Sequence, residues 1–232
     1  RYRYNNSPLD MDGHRIYIKD GDTVWNPGWQ PTKTPLDSYS CRHGLGYTVV
    51  EGKKDGVTAR QELFVPKGDA CELDRVTVCN ESAAVKELDL FSYVEFCLWD
   101  AVDDSSNFQR NYSTGEVEVE GSVIYHKTEY RERRNHYAVF WANCPVDSFD
   151  TTRDAFCGVY GGPADPQAVR AGHCSGSIAH GWAPVGALHI HLSLAPGESR
   201  SILFGLGYIE NPQQEKFIAP GVINKTRAHA MM

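Results

Sequence analysis

The feature of this sequence that most limits its fold is an alternation of apolar and polar residues that recurs along most of the chain. A period of two is typical of β-strands with one buried face, because successive side chains point to opposite faces of a sheet. The sequence therefore predicts an all-β fold with almost no helix, built as a large antiparallel β-sandwich. Eight segments carry the pattern: Val57–Val65, Leu73–Cys79, Leu88–Phe96, Glu116–Glu120, Val123–Tyr130, Tyr137–Ala142, Gly186–Leu194 and Ser201–Tyr208.

The clearest strand pair lies near the end of the chain. Apolar residues occupy every second position in Leu188–Leu194 and again from Ile202 onwards, which predicts that both strands face one core. Between them, Pro196 and Gly197 favour a chain reversal. The pattern therefore predicts a β-hairpin at this point.

Two polar stretches interrupt the strand pattern and are predicted to be long surface loops. One is Asp20–Tyr39, which contains Trp25 and Trp29, and the other is Trp99–Thr114. Loops of this length in a compact domain often carry function. Trp25, Trp29 and Trp99 are candidates for a platform under a sugar ring, but anchoring of the loop to the sandwich is the favoured interpretation.

Composition excludes several classes of protein. The chain has 232 residues, is 41% hydrophobic and carries a net charge of -7 without any long run of like charges, so no nucleic-acid or membrane partner is expected. No apolar run is long enough for a membrane span. Seven cysteines without a C-x-x-C pair favour reduced thiols in a cytoplasmic protein over a disulfide framework or a zinc site.

Residues with catalytic or metal-binding chemistry are few. His189 and His191 share one face of a predicted strand, and solvent exposure is favoured over a metal site because no third ligand lies nearby. The carboxylates of Asp103, Asp104, Glu129 and Glu132 are interpreted as solvated charges rather than as a glycosidase pair. We therefore predict neither a metal nor a cofactor.

Two polar segments have side chains suited to anions or sugars. The loop from Asp103 to Tyr112 groups amide, aromatic and guanidinium side chains, which suit sugar hydroxyls, although from the residues alone a surface or interface salt bridge is the favoured explanation of its arginine. The segment Tyr130–His136 is basic and aromatic, and a salt-bridged turn or an interdomain surface is favoured over a phosphate or nucleic-acid contact.

Taken together, several motifs resemble the cellobiose phosphorylases of glycoside hydrolase family 94, and the resemblance covers nearly the whole chain. The motifs are Arg1-Tyr-Arg-Tyr-Asn-Asn, Asp22-Thr-Val-Trp-Asn-Pro-Gly-Trp-Gln-Pro, Cys41-Arg-His-Gly-Leu-Gly-Tyr, Val94-Glu-Phe-Cys-Leu-Trp, Asn107-Phe-Gln-Arg-Asn, Tyr130-Arg-Glu-Arg-Arg, Ala195-Pro-Gly-Glu-Ser-Arg-Ser and Asn224-Lys-Thr-Arg-Ala-His-Ala.

The resemblance implies an N-terminal sandwich domain of the galactose-mutarotase-like, super-β-sandwich type at residues 1–210. Residues 211–232 would begin a helical linker to an (α/α)6-barrel catalytic domain that is missing here, and Phe217–Met232 is expected to continue as a helix. In such a phosphorylase, inorganic phosphate is the co-substrate and attacks cellobiose with inversion, giving alpha-D-glucose 1-phosphate and D-glucose. The full-length protein is expected to form a homodimer in the cytoplasm, and this domain is expected to support the acceptor-sugar subsite and the dimer interface.

The resemblance also assigns roles to residues. The general acid is expected outside this chain, so no residue here is predicted to be catalytic and the chain alone should be inactive. Arg110 matches an arginine that reaches the acceptor-sugar subsite, and Asn107 and Gln109 are expected beside it. Two alternatives stay open: a stand-alone carbohydrate-binding sandwich, and a cellodextrin or chitobiose phosphorylase.

Overall fold

The computed structural model describes residues 13–96, 115–128, 135–181, 184–214 and 224–232. Within these ranges the chain forms thirteen strands and three short helices. The strands are β1 Arg15–Asp20, β2 Thr23–Trp25, β3 Ser38–His43, β4 Tyr47–Lys54, β5 Val57–Phe64, β6 Cys71–Asn80, β7 Lys86–Glu95, β8 Gly115–Glu120, β9 Val123–Thr128, β10 His136–Ala142, β11 Ser148–Thr152, β12 Pro184–Leu194 and β13 Ser199–Glu210. The helices are α1 Arg153–Cys157, α2 Gln167–Ala171 and α3 Thr226–Met231.

The strands form two antiparallel sheets. Sheet A has five strands in the order β11-β12-β7-β1-β2, and sheet B has eight strands in the order β3-β4-β5-β6-β13-β10-β9-β8. The described part of the chain is therefore an antiparallel β-sandwich, as the sequence predicted.

The core between the sheets comes from the inward half of each alternating strand. In β7, Leu88, Leu90 and Val94 face this core, and in β12 the residues at every second position do the same. The inward residues of sheet B include Val76, Val78, Phe140, Ile202 and Phe204, each at most 1% exposed. Burial of these two apolar rows against each other is the main stabilising interaction of the sandwich.

The outer face of sheet A is covered as well. Tyr17, Phe91 and Tyr93 point outwards from β1 and β7 and pack against Phe156 of α1 and Val169 of α2. The Tyr93 and Phe156 rings stack with their centroids 4.6 Å apart. Because these strands are buried on both faces, their sequences contain consecutive apolar residues rather than a clean alternation.

The outer face of sheet B carries an aromatic cluster beneath the last helix. Tyr125, Tyr137 and Trp141 are nearly inaccessible to solvent, and Ala228 of α3 packs against them. Lys225 pairs with Glu118 at 2.9 Å and lies 4.8 Å above the centre of the Tyr125 ring. The described C-terminal residues therefore pack on the sandwich.

The eight strands predicted from the alternation are confirmed, with ends that shift by a few residues. The prediction missed β1, β3, β4 and β11. It was also wrong to treat all of Asp20–Tyr39 as a loop, since β2 lies inside it and β3 begins at Ser38. Every residue of β3 is exposed, so this strand lacks the apolar row on which the prediction depended.

The predicted hairpin around Pro196 and Gly197 is wrong in one respect. Its two strands share a core, but β12 belongs to sheet A and β13 to sheet B, so they do not pair with each other. The turn crosses from one sheet to the other and is held by Asn80, whose side chain donates to the carbonyl of Leu194 at 2.9 Å. The backbone carbonyl of Asn80 accepts from Gly197 N at 2.7 Å.

The prediction of a continuous helix from Phe217 to Met232 is wrong at Asn224 and Lys225, which precede α3 without being helical. The Asn224 side chain accepts a hydrogen bond from the backbone N–H of Thr226 at 3.1 Å, a local contact that competes with helix continuation. The domain boundary at residue 210 stays a prediction. None of the helices in the described ranges is long and apolar enough to cross a membrane.

Candidate functional site

A cavity of about 450 Å³ opens at one end of the sandwich. It lies where β7 and β13 end and β6 begins, so its walls come from both sheets. The residues that line it are Val65, Asp69, Ala70, Cys71, Glu72, Glu95, Phe96, Ala138, Leu206, Gly207 and Tyr208. Its volume falls within the range of small-molecule sites, which is roughly 300 to 1,000 Å³.

The aromatic side chains of the cavity are held by neighbouring histidines. The Phe96 ring stacks on His126 with a centroid distance of 5.0 Å. The Tyr208 hydroxyl is hydrogen-bonded to His136 Nδ1, and His136 Nε2 lies 3.6 Å from Glu210 Oε1. Both aromatic residues therefore have restricted orientations before any ligand enters.

Behind the cavity lies a buried polar cluster of Glu72, His14, Asp74, Gln61 and Ser92. His14 Nδ1 is 3.7 Å from Glu72 Oε1 and 3.5 Å from Asp74 Oδ2, while His14 Nε2 shares a hydrogen bond with Ser92 Oγ. The facing His14 ring lowers the pKa of Glu72. Glu72 is thus the member of the cluster that links it to the cavity, since its side chain is 41% exposed.

Asp74 is the most deeply buried member of this cluster. It is completely shielded from solvent and accepts a hydrogen bond from Gln61 Nε2 at 2.7 Å. Its second carboxylate oxygen has no hydrogen-bond partner in the structure. Burial raises the pKa of Asp74 to about 6, although His14 and Gln61 oppose the rise.

On the outer side of sheet A, next to the cavity, Glu95 forms an ion pair that is almost buried. Its Oε1 accepts hydrogen bonds from Tyr93 at 2.8 Å and from Arg153 Nε at 3.2 Å. Burial raises the pKa of Tyr93 and of Cys157 beside it. Neither group is therefore activated as a nucleophile, and the arrangement is that of a structural network.

The residues predicted to bind substrate, Arg110, Asn107 and Gln109, lie outside the described residues, as do Trp99, Asp103, Asp104, Glu129 and Glu132. In sequence, the segment that contains Asn107, Gln109 and Arg110 follows Phe96, which lines the cavity. The site predictions therefore stay predictions. Of the segment Tyr130–His136, Asn135 and His136 are described, and Asn135 donates to the carbonyl of Asn211 at 2.6 Å.

The structure describes two of the three candidate tryptophans and both strand histidines. Trp25 is fully buried in the core, which confirms the anchoring interpretation, whereas Trp29 is 44% exposed. The prediction that His189 faces solvent is wrong, because its ring is buried against Phe91 at 4.5 Å. His191 is exposed as predicted, and both histidines bond to Asp89 Oδ1, at 3.1 and 2.9 Å respectively.

Sequence reasoning missed the residues that build the cavity and its polar cluster. Glu72, Asp74 and Ser92 occupy inward positions of alternating strands, where apolar residues are the rule. A polar residue at such a position is the only signal that could have identified them, and it does not say which partners they meet. Among the described residues, no group of three or more His, Cys, Asp or Glu is arranged to hold a metal.

Comparison with known families decides the classification. The family model described as "Glycosyl hydrolase 94, supersandwich domain" matches residues 1–227. The chain belongs to this family. The two sheets described above are thus those of a glycosyl hydrolase 94 super-β-sandwich, and the expected fold class is confirmed.

Two curated relatives carry phosphorylase names. The chain is 36% identical over 227 residues to the solabiose phosphorylase of Paenibacillus borealis, covering 94% of this chain and 29% of that protein. It is 35% identical over 210 residues to the N,N'-diacetylchitobiose phosphorylase of Vibrio proteolyticus, covering 87% of this chain and 26% of that protein. The chain therefore spans about a quarter of the length of these relatives.

A solved structure shares the fold at low sequence identity. The structure titled "Putative kojibiose phosphorylase from human microbiome" aligns with a TM-score of 0.54 and 13% identity, covering 94% of this chain and 25% of that one. At this identity the likeness establishes the fold alone. Neither these two relatives nor this structure carries the name cellobiose phosphorylase. Membership of the family therefore does not identify the substrate.

Proposed function

We propose that this chain is the N-terminal domain of an inverting disaccharide phosphorylase that acts on cellobiose. The full-length enzyme would convert cellobiose and inorganic phosphate into alpha-D-glucose 1-phosphate and D-glucose. The proposal is supported by the match of residues 1–227 to the glycosyl hydrolase 94 super-β-sandwich, together with the phosphorylase names of the relatives. The choice of cellobiose depends on the motifs quoted from the sequence.

The proposal divides the chemistry between domains. Phosphate is itself the nucleophile, so the protein must supply one general acid for the glycosidic oxygen and cationic or amide ligands for phosphate. We place those groups in a separate (α/α)6-barrel domain and assign no catalytic residue to this chain. The sandwich would support the acceptor-sugar subsite.

The decisive experiment measures phosphate-dependent release of glucose 1-phosphate by the full-length protein. Cellobiose, N,N'-diacetylchitobiose and solabiose are compared at equal concentration, with the 232-residue chain alone as the inactive control. We expect cellobiose to react fastest. A sugar 1-phosphate formed only from N,N'-diacetylchitobiose or solabiose would contradict the substrate, and sugar binding without any phosphorolysis would favour the stand-alone carbohydrate-binding module.

Arg110 is the residue of this chain that we propose contacts the acceptor sugar, with Asn107 and Gln109 beside it. Arg110→Ala in the full-length enzyme should weaken the use of glucose as acceptor in the reverse reaction by at least about tenfold, because a charged hydrogen bond is worth roughly 1.5 to 3 kcal/mol. Binding of phosphate should be unchanged. Arg200→Ala, an exposed arginine at the far end of β13, is the matched control; equal acceptor kinetics in both variants would exclude Arg110 from the subsite.

Two further properties belong to the same proposal. A homodimer of the full-length enzyme is expected, and light scattering after size-exclusion chromatography tests it. A cytoplasmic location is proposed because Cys71, Cys157 and Cys174 are buried free thiols, which suits a reducing compartment.

A further inference from the structure

The open end of the sandwich offers the chemistry of a sugar site within this chain. We propose that the cavity at this end binds a neutral hexopyranose ring. Phe96, Ala138 and Leu206 provide an apolar wall, and a pyranose ring has an apolar face of C–H groups that packs against such a surface. Asp69, Glu72 and Tyr208, which have polar side chains, line the same cavity.

The charges of the cavity select against anions. Among the described residues that line it, three carry carboxylates and none is Lys or Arg. Glu95 is already bonded to Arg153 and Tyr93, which leaves Asp69 and Glu72 as acidic groups that hydroxyl donors of a sugar can approach. Among these described residues, a phosphate group would meet the carboxylates of Asp69 and Glu72 without a compensating Lys or Arg, which is unfavourable. The described lining residues therefore favour a neutral sugar over a sugar phosphate.

The polar groups are held in place before the sugar arrives. Glu72 faces His14, and this interaction keeps the pKa of Glu72 low, so the carboxylate is ionised and accepts hydrogen bonds. Tyr208 is oriented by His136, and Phe96 by His126. Preorganised acceptors lose little conformational entropy on binding, which favours affinity for a ligand with few contacts.

This inference goes beyond the proposed phosphorylase activity. The phosphorylase proposal concerns a full-length enzyme and assigns sugar contacts to Arg110, whereas the cavity is formed by described residues of this chain. The two are tested on different materials, since binding is measured with the 232-residue chain and phosphorolysis with the full-length protein. Failure of one is therefore distinguishable from failure of the other.

The experiment titrates the isotopically labelled chain with D-glucose, with cellobiose and, as the anionic probe, with inorganic phosphate, while amide chemical shifts are recorded. We expect saturable shifts for a sugar with a Kd near about 1 to 10 mM, which corresponds to roughly 3 to 4 kcal/mol. The shifts should centre on the strand ends around Glu72, Phe96 and Tyr208. Phosphate should produce none there.

A pair of matched variants separates cavity binding from weak surface contacts. Val65 lies on the rim and is 64% exposed, so Val65→Trp should narrow the opening without disturbing the core. Val85→Trp makes the same change at a residue that is 57% exposed and lies just before β7, far from the cavity. Sugar affinity should fall at least about tenfold in the first variant and stay within about twofold in the second.

Glu72→Gln provides an independent test of the polar side of the cavity. The substitution keeps one acceptor oxygen but replaces the other by an amide nitrogen and removes the charge, so sugar affinity should fall severalfold while the chain remains folded. The proposal is overturned if neither sugar causes saturable shifts up to about 100 mM, if Val65→Trp and Val85→Trp bind equally, or if phosphate competes for the same residues.

Discussion

Replacement of Asp74 by Asn should make this protein more stable at neutral pH, contrary to the usual effect of changing a buried hydrogen-bonded residue. Asp74 is fully buried between the sheets, and only one of its carboxylate oxygens has a hydrogen-bond donor, Gln61. An asparagine oxygen accepts the same bond. That oxygen takes the place of Oδ2, which also faces His14 at 3.5 Å, while the amide nitrogen takes the place of the unpartnered Oδ1 and carries no charge to desolvate.

The size of the effect follows from the pKa of Asp74. Burial raises it from 3.8 to about 6, so the folded chain holds this proton more tightly than the unfolded chain does. The stability contributed by the protonated acid is fully present below pH 3.8, and it is lost as the pH rises through about 6. Above that range the ionised form costs about 3 kcal/mol, at about 1.4 kcal/mol per pKa unit.

Urea unfolding of wild type and Asp74→Asn at pH 5 and pH 8 measures this effect, because contributions of other titrating groups cancel in the difference. The variant should be more stable by about 1.5 kcal/mol at pH 5 and by about 3 kcal/mol at pH 8. Asp22→Asn, at an exposed position, should change stability little at either pH. A variant that is less stable than wild type at pH 8, or a difference that does not grow with pH, would refute the reasoning.

Two further predictions concern packing and loop order. Gly205→Ala should destabilise the chain by about 1 to 3 kcal/mol through overpacking, because an added Cβ would lie 2.1 Å from the Trp141 ring; Gly46→Ala, with no atom within 4 Å, is the control, and equal urea midpoints for the two variants would contradict the prediction. Asp150→Asn should cost about 1 to 3 kcal/mol, because the fully buried carboxylate accepts from the backbone and hydroxyl groups of Ser175 and Ser177. Hydrogen exchange at residues 174–179 should accelerate in this variant and not in Asp22→Asn.

The sequence predicted those strands that have one apolar row, and the reason is physical. Alternation indicates that one face is buried. It is visible in β5, in β6 and from Leu188 onwards in β12, where the alternate residues on the other face are mostly polar. In β1, Tyr17 is buried under Phe156 on one side while Ile16 and Ile18 face the core on the other, so the alternation disappears. In β3 neither face is buried.

The alternation of apolar and polar residues does not determine which sheet a strand joins. The apolar rows of β12 and β13 face the same core, and this is all that their pattern states. A pair of strands joined by a short turn satisfies that pattern whether they pair within one sheet or lie in opposite sheets. Contacts of Asn80 with Leu194 and Gly197 hold the crossing arrangement, and Asn80 lies more than a hundred residues earlier in the chain.

His189 shows the same limit for side-chain exposure. It alternates with Leu188 and Ile190, so the pattern predicts a polar outer face. That face is instead covered by the layer that contains Phe156 and Val169, which comes from separate segments. The buried histidine remains compatible with its environment because it bonds to Ser148 and Asp89.

The two ends of the sandwich differ in a way that bears on function. At one end the crossing turn is closed by hydrogen bonds from Asn80, and apolar side chains fill the space between the sheets. At the other end the inward positions become polar, with Glu72 and Asp74 on β6, and the cavity begins. A charged carboxylate between two sheets reduces stability, which is why Asp74→Asn is expected to stabilise the chain. The described residues retain two inward carboxylates, those of Glu72 and Asp74, at the end with the open cavity, which is the arrangement expected where binding rather than stability determines the residues.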